Sequence, residues 1–145
     1  MKKQITVPIK LLNIDNDGFH LQMKIFVNGK PANVIIDTGA SRTVFDKTGI
    51  KNFEKKTKAK LHHKLSSGLG TNTMKSHKIN IAEVKLGTIK IKNYEAVLLD
   101  LTHVNQSYIQ IGLSPIDGII GSDLLHKYKA SISYEKKILI LHAID

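Results

Sequence analysis

The 145-residue chain has no cysteine. Disulfides, cysteine-ligated zinc and thiol nucleophiles are excluded together, and the absence fits a reducing compartment. Long hydrophobic runs are missing too. The start, Met1-Lys2-Lys3-Gln4-Ile5-Thr6-Val7-Pro8, has two lysines but no unbroken apolar stretch of signal-peptide length, and no later segment approaches membrane-spanning length. The expectation is a soluble, cytoplasmic protein with no membrane partner. No serine stands in a Gly-x-Ser-x-Gly frame, which argues against serine-hydrolase chemistry. Arginine is scarce: Arg42 is the single one among 22 basic residues, which outnumber the 12 acidic ones for a net charge of +10. A basic surface can attract nucleic acid or acidic substrates. Here the lysines, many of them between Lys47 and Lys64 or Lys75 and Lys92, alternate with apolar residues as on the wet face of strands. No nucleic-acid motif accompanies them, so no nucleic-acid partner is expected.

What is present is a β pattern over a length that suits a single domain, 1–145, able to bury about two-thirds of its unfolded surface. Apolar and polar residues alternate in short runs between turn signals, and an all-β fold follows. Ile5 to Ile14 and Phe19 to Val27 flank Asp15-Asn16-Asp17-Gly18. Asn28-Gly29, a strong hairpin signal, separates the second run from Ala32 to Ile36. A short strand at Thr43 to Phe45 precedes a polar stretch through Lys60 that has room for a helical turn. Leu61 to Leu65 and Met74 to Val84 read as strands around the Gly/Ser/Thr-rich tip Ser66 to Thr73, a composition suited to a mobile hairpin. Further strands are expected at Ile89 to Ile91, Ala96 to Leu101 and Ile119 to Ile120. Ser122 is expected to cap a short helix from Asp123 to Tyr128. A last hairpin joins Ala130–Ser133 to Ile138–His142, and its apolar Ile138-Leu139-Ile140-Leu141 either pairs with a second copy or is closed within its own sheet.

Two segments carry the chemistry. Val34-Ile35-Ile36 runs straight into Asp37-Thr38-Gly39-Ala40-Ser41, which puts a carboxylate in a tight loop after a buried strand; Gly39, without a Cβ, lets neighbouring backbone approach. About eighty residues later comes Asp117-Gly118-Ile119-Ile120-Gly121-Ser122-Asp123-Leu124-Leu125. Asp117 reads as a turn residue entering Ile119, because no second Asp-Thr/Ser-Gly exists in the chain. Asp123 reads as a helix-start residue, and Asp15 and Asp17 as hairpin tips that lack the spacing of a calcium loop. His62 and His63, adjacent on a strand, point to opposite faces with no third ligand nearby, so no metal and no cofactor are expected.

In these segments the chain resembles the retropepsin-like aspartic proteases over roughly residues 19 to 142. The resemblance implies a closed, mostly antiparallel barrel with one short C-terminal helix, and an active homodimer that pools one aspartate from each subunit. It implies that Asp37 is the catalytic residue, with Thr38 and Gly39 completing the triplet and Thr38 bonding across the two-fold axis. Ala40, Ser41 and Ile119 would wall a cleft for an extended peptide or protein substrate, and Gly68, Leu69 and Gly70 would sit in a flap closing over it. Ser41 stands where the viral enzymes carry a substrate-binding aspartate and the flap tip differs from theirs, so substrate preference does not carry over. Two other readings stand beside the endopeptidase: a catalytically inactive module of the same fold that binds peptide or dimerises, and a basic nucleic-acid-binding β protein.

Overall fold

A computed structural model describes residues 2–54, 64–67 and 75–144. Their eleven strands fall into two sheets. The larger has eight strands: β2 (Lys10–Asn13), β3 (Phe19–Val27), β4 (Lys30–Ile36), β9 (Gly118–Ile120), β5 (Val44–Asp46), β8 (Ile89–Leu99), β7 (Lys75–Leu86) and β6 (Lys64–Ser67), neighbours in that order. A further pairing of β3 with β7, through Phe26↔Lys85 and Val27↔Val84, closes six of them into a barrel. Most pairs are antiparallel; β4 with β9 and β5 with β8 are parallel. The second sheet has three strands in the order β1 (Lys2–Pro8), β11 (Ile138–Ile144), β10 (Ser131–Ser133). The expected closed, mostly antiparallel β structure is what the chain forms.

Period-two alternation builds this core. Along β3 the inward residues Leu21, Met23, Ile25 and Val27 are buried and meet Val34, Ile36, Phe45, Ile79, Ile81 and Leu98 inside the barrel. Each such fully buried side chain contributes roughly 1.5–3 kcal/mol. The Asn28-Gly29 hairpin forms as expected, with both residues at positive φ (50° and 81°) and Val27 paired to Lys30. Asp15 and Asn16 are also left-handed, and the Asn13 side chain accepts the Asn16 N–H at 2.8 Å.

Four expectations need correction. The run Ile5 to Ile14 is two strands, not one: Pro8 has no N–H to continue a ladder, Ile9 N–H instead donates to Lys137 O at 3.0 Å, and β1 and β2 end in different sheets. The runs Ile89–Ile91 and Ala96–Leu101 belong to one strand, β8, which keeps a single register with β7 even though Asn93 takes a positive φ of 53°. The polar Lys92-Asn93 pair hid that continuity. A nine-residue helix, α1 (Thr102–Gln110), follows β8 where none was expected. Finally, α2 (Ser122–Lys127) is capped by the backbone of Gly121 with no side-chain cap bond, so Ser122 is its first residue and not its cap. The segment Ile138–Leu141 is closed within its own sheet: β11 is central, with β1 on one edge and β10 on the other. No helix of the described residues is long and apolar enough to cross a membrane.

Candidate active site

The parallel pair β4–β9 sets the site. Val34, Ile35 and Ile36 lie opposite Gly118, Ile119 and Ile120, and the ladder continues one step as Asp37 N–H donates to Ile120 O at 2.9 Å. Both strands then leave the sheet, β4 into the loop 37–43 and β9 into α2. Asp37, Thr38 and Gly39 are exposed at this point. Gly39 N–H donates to Asp37 Oδ1 at 2.9 Å, which orients the carboxylate, and Ala40 N–H turns back onto Asp37 O at 3.2 Å.

The loop is fastened to the start of α2. Ser122 N–H donates to Ala40 O at 2.7 Å, and the Ser122 hydroxyl lies 3.5 Å from the carbonyl of the exposed Ser41. Gly121 passes so close beneath that a Cβ there would lie 2.6 Å from Arg42 O and 2.8 Å from Ala40 O. Gly121→Ala should therefore push the loop off its seat and cost about 2 kcal/mol in chemical unfolding; an unchanged midpoint would show that the loop adapts freely.

Beneath the loop lies a polar cluster that sequence reasoning missed. Asp123 Oδ1 accepts both the backbone N–H of Thr43 (2.9 Å) and its hydroxyl (2.7 Å), while Oδ2 accepts the Tyr94 hydroxyl (2.8 Å) and lies 3.8 Å from Arg42 Nε. The Thr43 oxygen in turn accepts Gly121 N–H at 3.0 Å. Thr43 is fully buried, the one buried polar residue among the described residues. Burial, then the hydrogen bond to Asp123, pushes the Tyr94 phenol up, so Tyr94 acts as a neutral donor. Asp123 is in the first turn of α2 as expected, but its carboxylate serves the loop that carries Asp37.

Asp117 lies at the other end of β9. Its Oδ2 accepts Asn33 N–H at 2.8 Å and its own N–H donates to Asn33 O at 2.7 Å. Asn33 is four residues before Asp37, roughly 13 Å along a strand. Within one chain the two carboxylates do not meet. Burial, outweighing the Asn33 bond, raises the Asp117 carboxyl above its ordinary range. The native state then holds this proton more tightly than the unfolded chain. The associated stability is full at pH values below the ordinary 3.8 and is lost as pH rises through the raised value. Asp117→Asn keeps an acceptor for Asn33 N–H without the charge. It should raise the urea midpoint at neutral pH, with the gap to wild type closing on acidification; a gap that stays constant with pH would refute this.

Asp37 and Thr38 open onto a cleft of about 390 Å³. Its lining includes Leu21, Ile35 and Ile119, Val104 and Tyr108 of α1, and the exposed rings of Phe19 and Tyr134. Ile119 is thus brought to the same cleft as Asp37. Gly68, Leu69 and Gly70 lie outside the described residues, as do His62 and His63. Helix α1 is held by Asn105, whose side chain donates to Ile116 O (3.1 Å) and accepts from Ile116 N (2.7 Å). Asp100, which accepts Thr102 N–H at 2.9 Å, is the sequence signal that could have marked the start of that helix.

Residues 22–124 match the family model described as aspartyl protease, and the chain belongs to that family. Among solved structures it is similar to a retropepsin-like aspartic protease from Rickettsia conorii (22% identity, 98% of this chain and 92% of that one covered, TM-score 0.58). It is also similar to the retroviral protease-like domain of Ddi1 from Leishmania major (15% identity, 84% and 87% covered, TM-score 0.56). The EIAV protease, solved with an inhibitor, aligns at 19% identity over 77% of this chain and 90% of that one, with a TM-score of 0.50. These likenesses establish a retropepsin-like fold. A search of curated proteins found no match.

Proposed function

We propose that the chain is an aspartic endopeptidase acting as a two-fold homodimer, with Asp37 of each subunit forming the catalytic dyad. Peptide hydrolysis by this route uses water as the nucleophile. One carboxylate accepts its proton while the other, protonated, donates to the scissile carbonyl. Two carboxylates about 3 Å apart cannot both ionise readily, so the pair shares a proton and titrates as a unit. Thr38 would bond across the axis, Ala40, Ser41 and Ile119 would contact substrate, and the segment carrying Gly68, Leu69 and Gly70 would act as a flap that closes over it and excludes water.

One observation carries the reading. The chain has a single Asp-Thr-Gly, presented at the mouth of an apolar cleft, and its other carboxylate on this strand pair, Asp117, is turned to Asn33 at the far end of β9. A dyad therefore needs a second chain. The test is cleavage of an unfolded-protein mixture from acidic to neutral pH, with solution mass measured on the same samples. An active dimer is expected. A folded protein that cuts nothing across that range would overturn the reading in favour of a peptide-binding or dimerising module.

A further inference from the structure

The cleft beside Asp37 contains a polar pair that the proton-transfer chemistry does not use. His20 of β3 and Tyr108 of α1 meet with Nδ1 of the imidazole 2.5 Å from the phenol oxygen, their rings tilted by 34° and their centroids 5.7 Å apart. The two residues differ in exposure. Tyr108 is 4% exposed, packed with Leu12, Ile35, Leu101 and Ile116, whereas His20 is exposed. The buried partner holds Nδ1, and the exposed imidazole is itself part of the cleft lining.

This arrangement fixes what His20 offers a ligand. A phenol can donate or accept. With the imidazole neutral, the buried Tyr108 O–H, packed among the side chains of Leu12, Ile35, Leu101 and Ile116 that accept no hydrogen bond, is satisfied by donating to Nδ1, and the proton then sits on Nε2; with the imidazole charged, Nδ1–H donates to the phenol oxygen and Nε2 still carries a proton. Burial pushes the Tyr108 phenol up, so it stays a hydroxyl in both cases. Nε2 is therefore an N–H donor whichever charge His20 carries. Much of the surrounding lining is apolar: Leu21, Ile35, Val104, Ile116 and Ile119.

We infer that His20, held by Tyr108, is a specificity-determining residue: in a peptide seated beside Asp37 it selects a side chain with a hydrogen-bond acceptor at the end of an aliphatic stem, glutamine or glutamate. The inference rests on the cleft being a peptide-binding cleft. The stem lies on the apolar lining and the terminal oxygen accepts from Nε2. A purely aliphatic side chain of the same length strips water from that N–H without replacing the bond. Such a loss is worth about tenfold in affinity.

The test uses binding, so that it does not depend on catalysis. Fluorescent decapeptides of one common sequence carry glutamine, glutamate, leucine or norleucine at each position in turn, and their affinity for Asp37→Asn protein is read by anisotropy. At one position glutamine and glutamate should bind about tenfold more tightly than norleucine. Adding His20→Phe should bring that ratio close to one, and Tyr108→Phe should lower it by freeing the ring. His20→Gln, which restores a donor, should recover part of it. Circular dichroism on each variant confirms the fold. Equal affinities for all peptides, no binding by any, or a preference that His20→Phe leaves intact would each overturn the inference. A His20-dependent preference in a protein whose wild type cuts nothing would overturn the protease reading alone, whereas cleavage without the preference would overturn only this one.

Discussion

Asp37→Asn should abolish peptide cleavage, by at least about a thousandfold, while leaving the fold and the solution mass unchanged. The two halves of that expectation have separate origins. Catalysis in the proposed dyad requires one carboxylate to take a proton from water and its neighbour to hand one to the carbonyl oxygen, and an amide does neither near neutral pH. Structure is spared because Asp37 is exposed and its one side-chain hydrogen bond among the described residues, from Gly39 N–H to Oδ1, is a bond that an asparagine oxygen also accepts. Stability should therefore stay within about 0.5 kcal/mol of wild type. The measurement is a matched pair of cleavage progress curves and molar masses for the two proteins across acidic to neutral pH. Mutant and wild type cutting at the same rate would assign the activity to another group or to a contaminant. A mutant that loses dimerisation along with activity would show that the carboxylates also hold the subunits together.

The local features of this fold were legible because they rest on interactions between near neighbours in sequence. Phe19 to Val27 alternates cleanly and is β3 to the residue, and Asn28-Gly29 supplies the two positive φ values its hairpin needs. The loop carrying Asp37 was legible from an apolar run ending in a turn triplet. Helix α1 was not, because Thr102 to Gln110 is largely polar, buries only Tyr108, and is tied down through Asn105 to a segment eleven residues away. The same limit hid half of the site. Thr43 and Asp123 are eighty residues apart, and nothing in the composition around Thr43 shows that its hydroxyl is buried. His20 and Tyr108, 88 residues apart, meet only because α1 packs against the outside of the barrel. Polar partners that are local in space but distant in the chain leave no periodicity to read.

Asp123→Ala is the substitution expected to do most damage to stability, about 3 kcal/mol. Among the described residues the carboxylate is the only acceptor for the Thr43 amide, and Thr43 is fully buried, so truncation leaves that N–H without a partner where water does not reach. The Thr43 and Tyr94 hydroxyls lose their acceptor at the same time. Arg42 adds little to the cost: its side chain is 48% exposed and stands 3.8 Å away, a surface pair of small worth. Asp123→Asn should be much milder, near 1 kcal/mol, because its oxygen still serves Thr43 and the Tyr94 hydroxyl can turn to accept from the amide. Activity should fall further than the unfolded fraction explains, since Thr43 ends the loop that begins at Asp37 and its hydroxyl also takes Gly121 N–H, fixing α2 against that loop. A displacement of about 1 Å at the proposed dyad is enough to cost on the order of a hundredfold in rate. Urea unfolding of the alanine and asparagine variants, with cleavage rates taken where both are fully folded, separates the two effects. An alanine variant as stable and as active as wild type would mean that the loop is held by the Ser122–Ala40 bond and the packing of Gly121 alone.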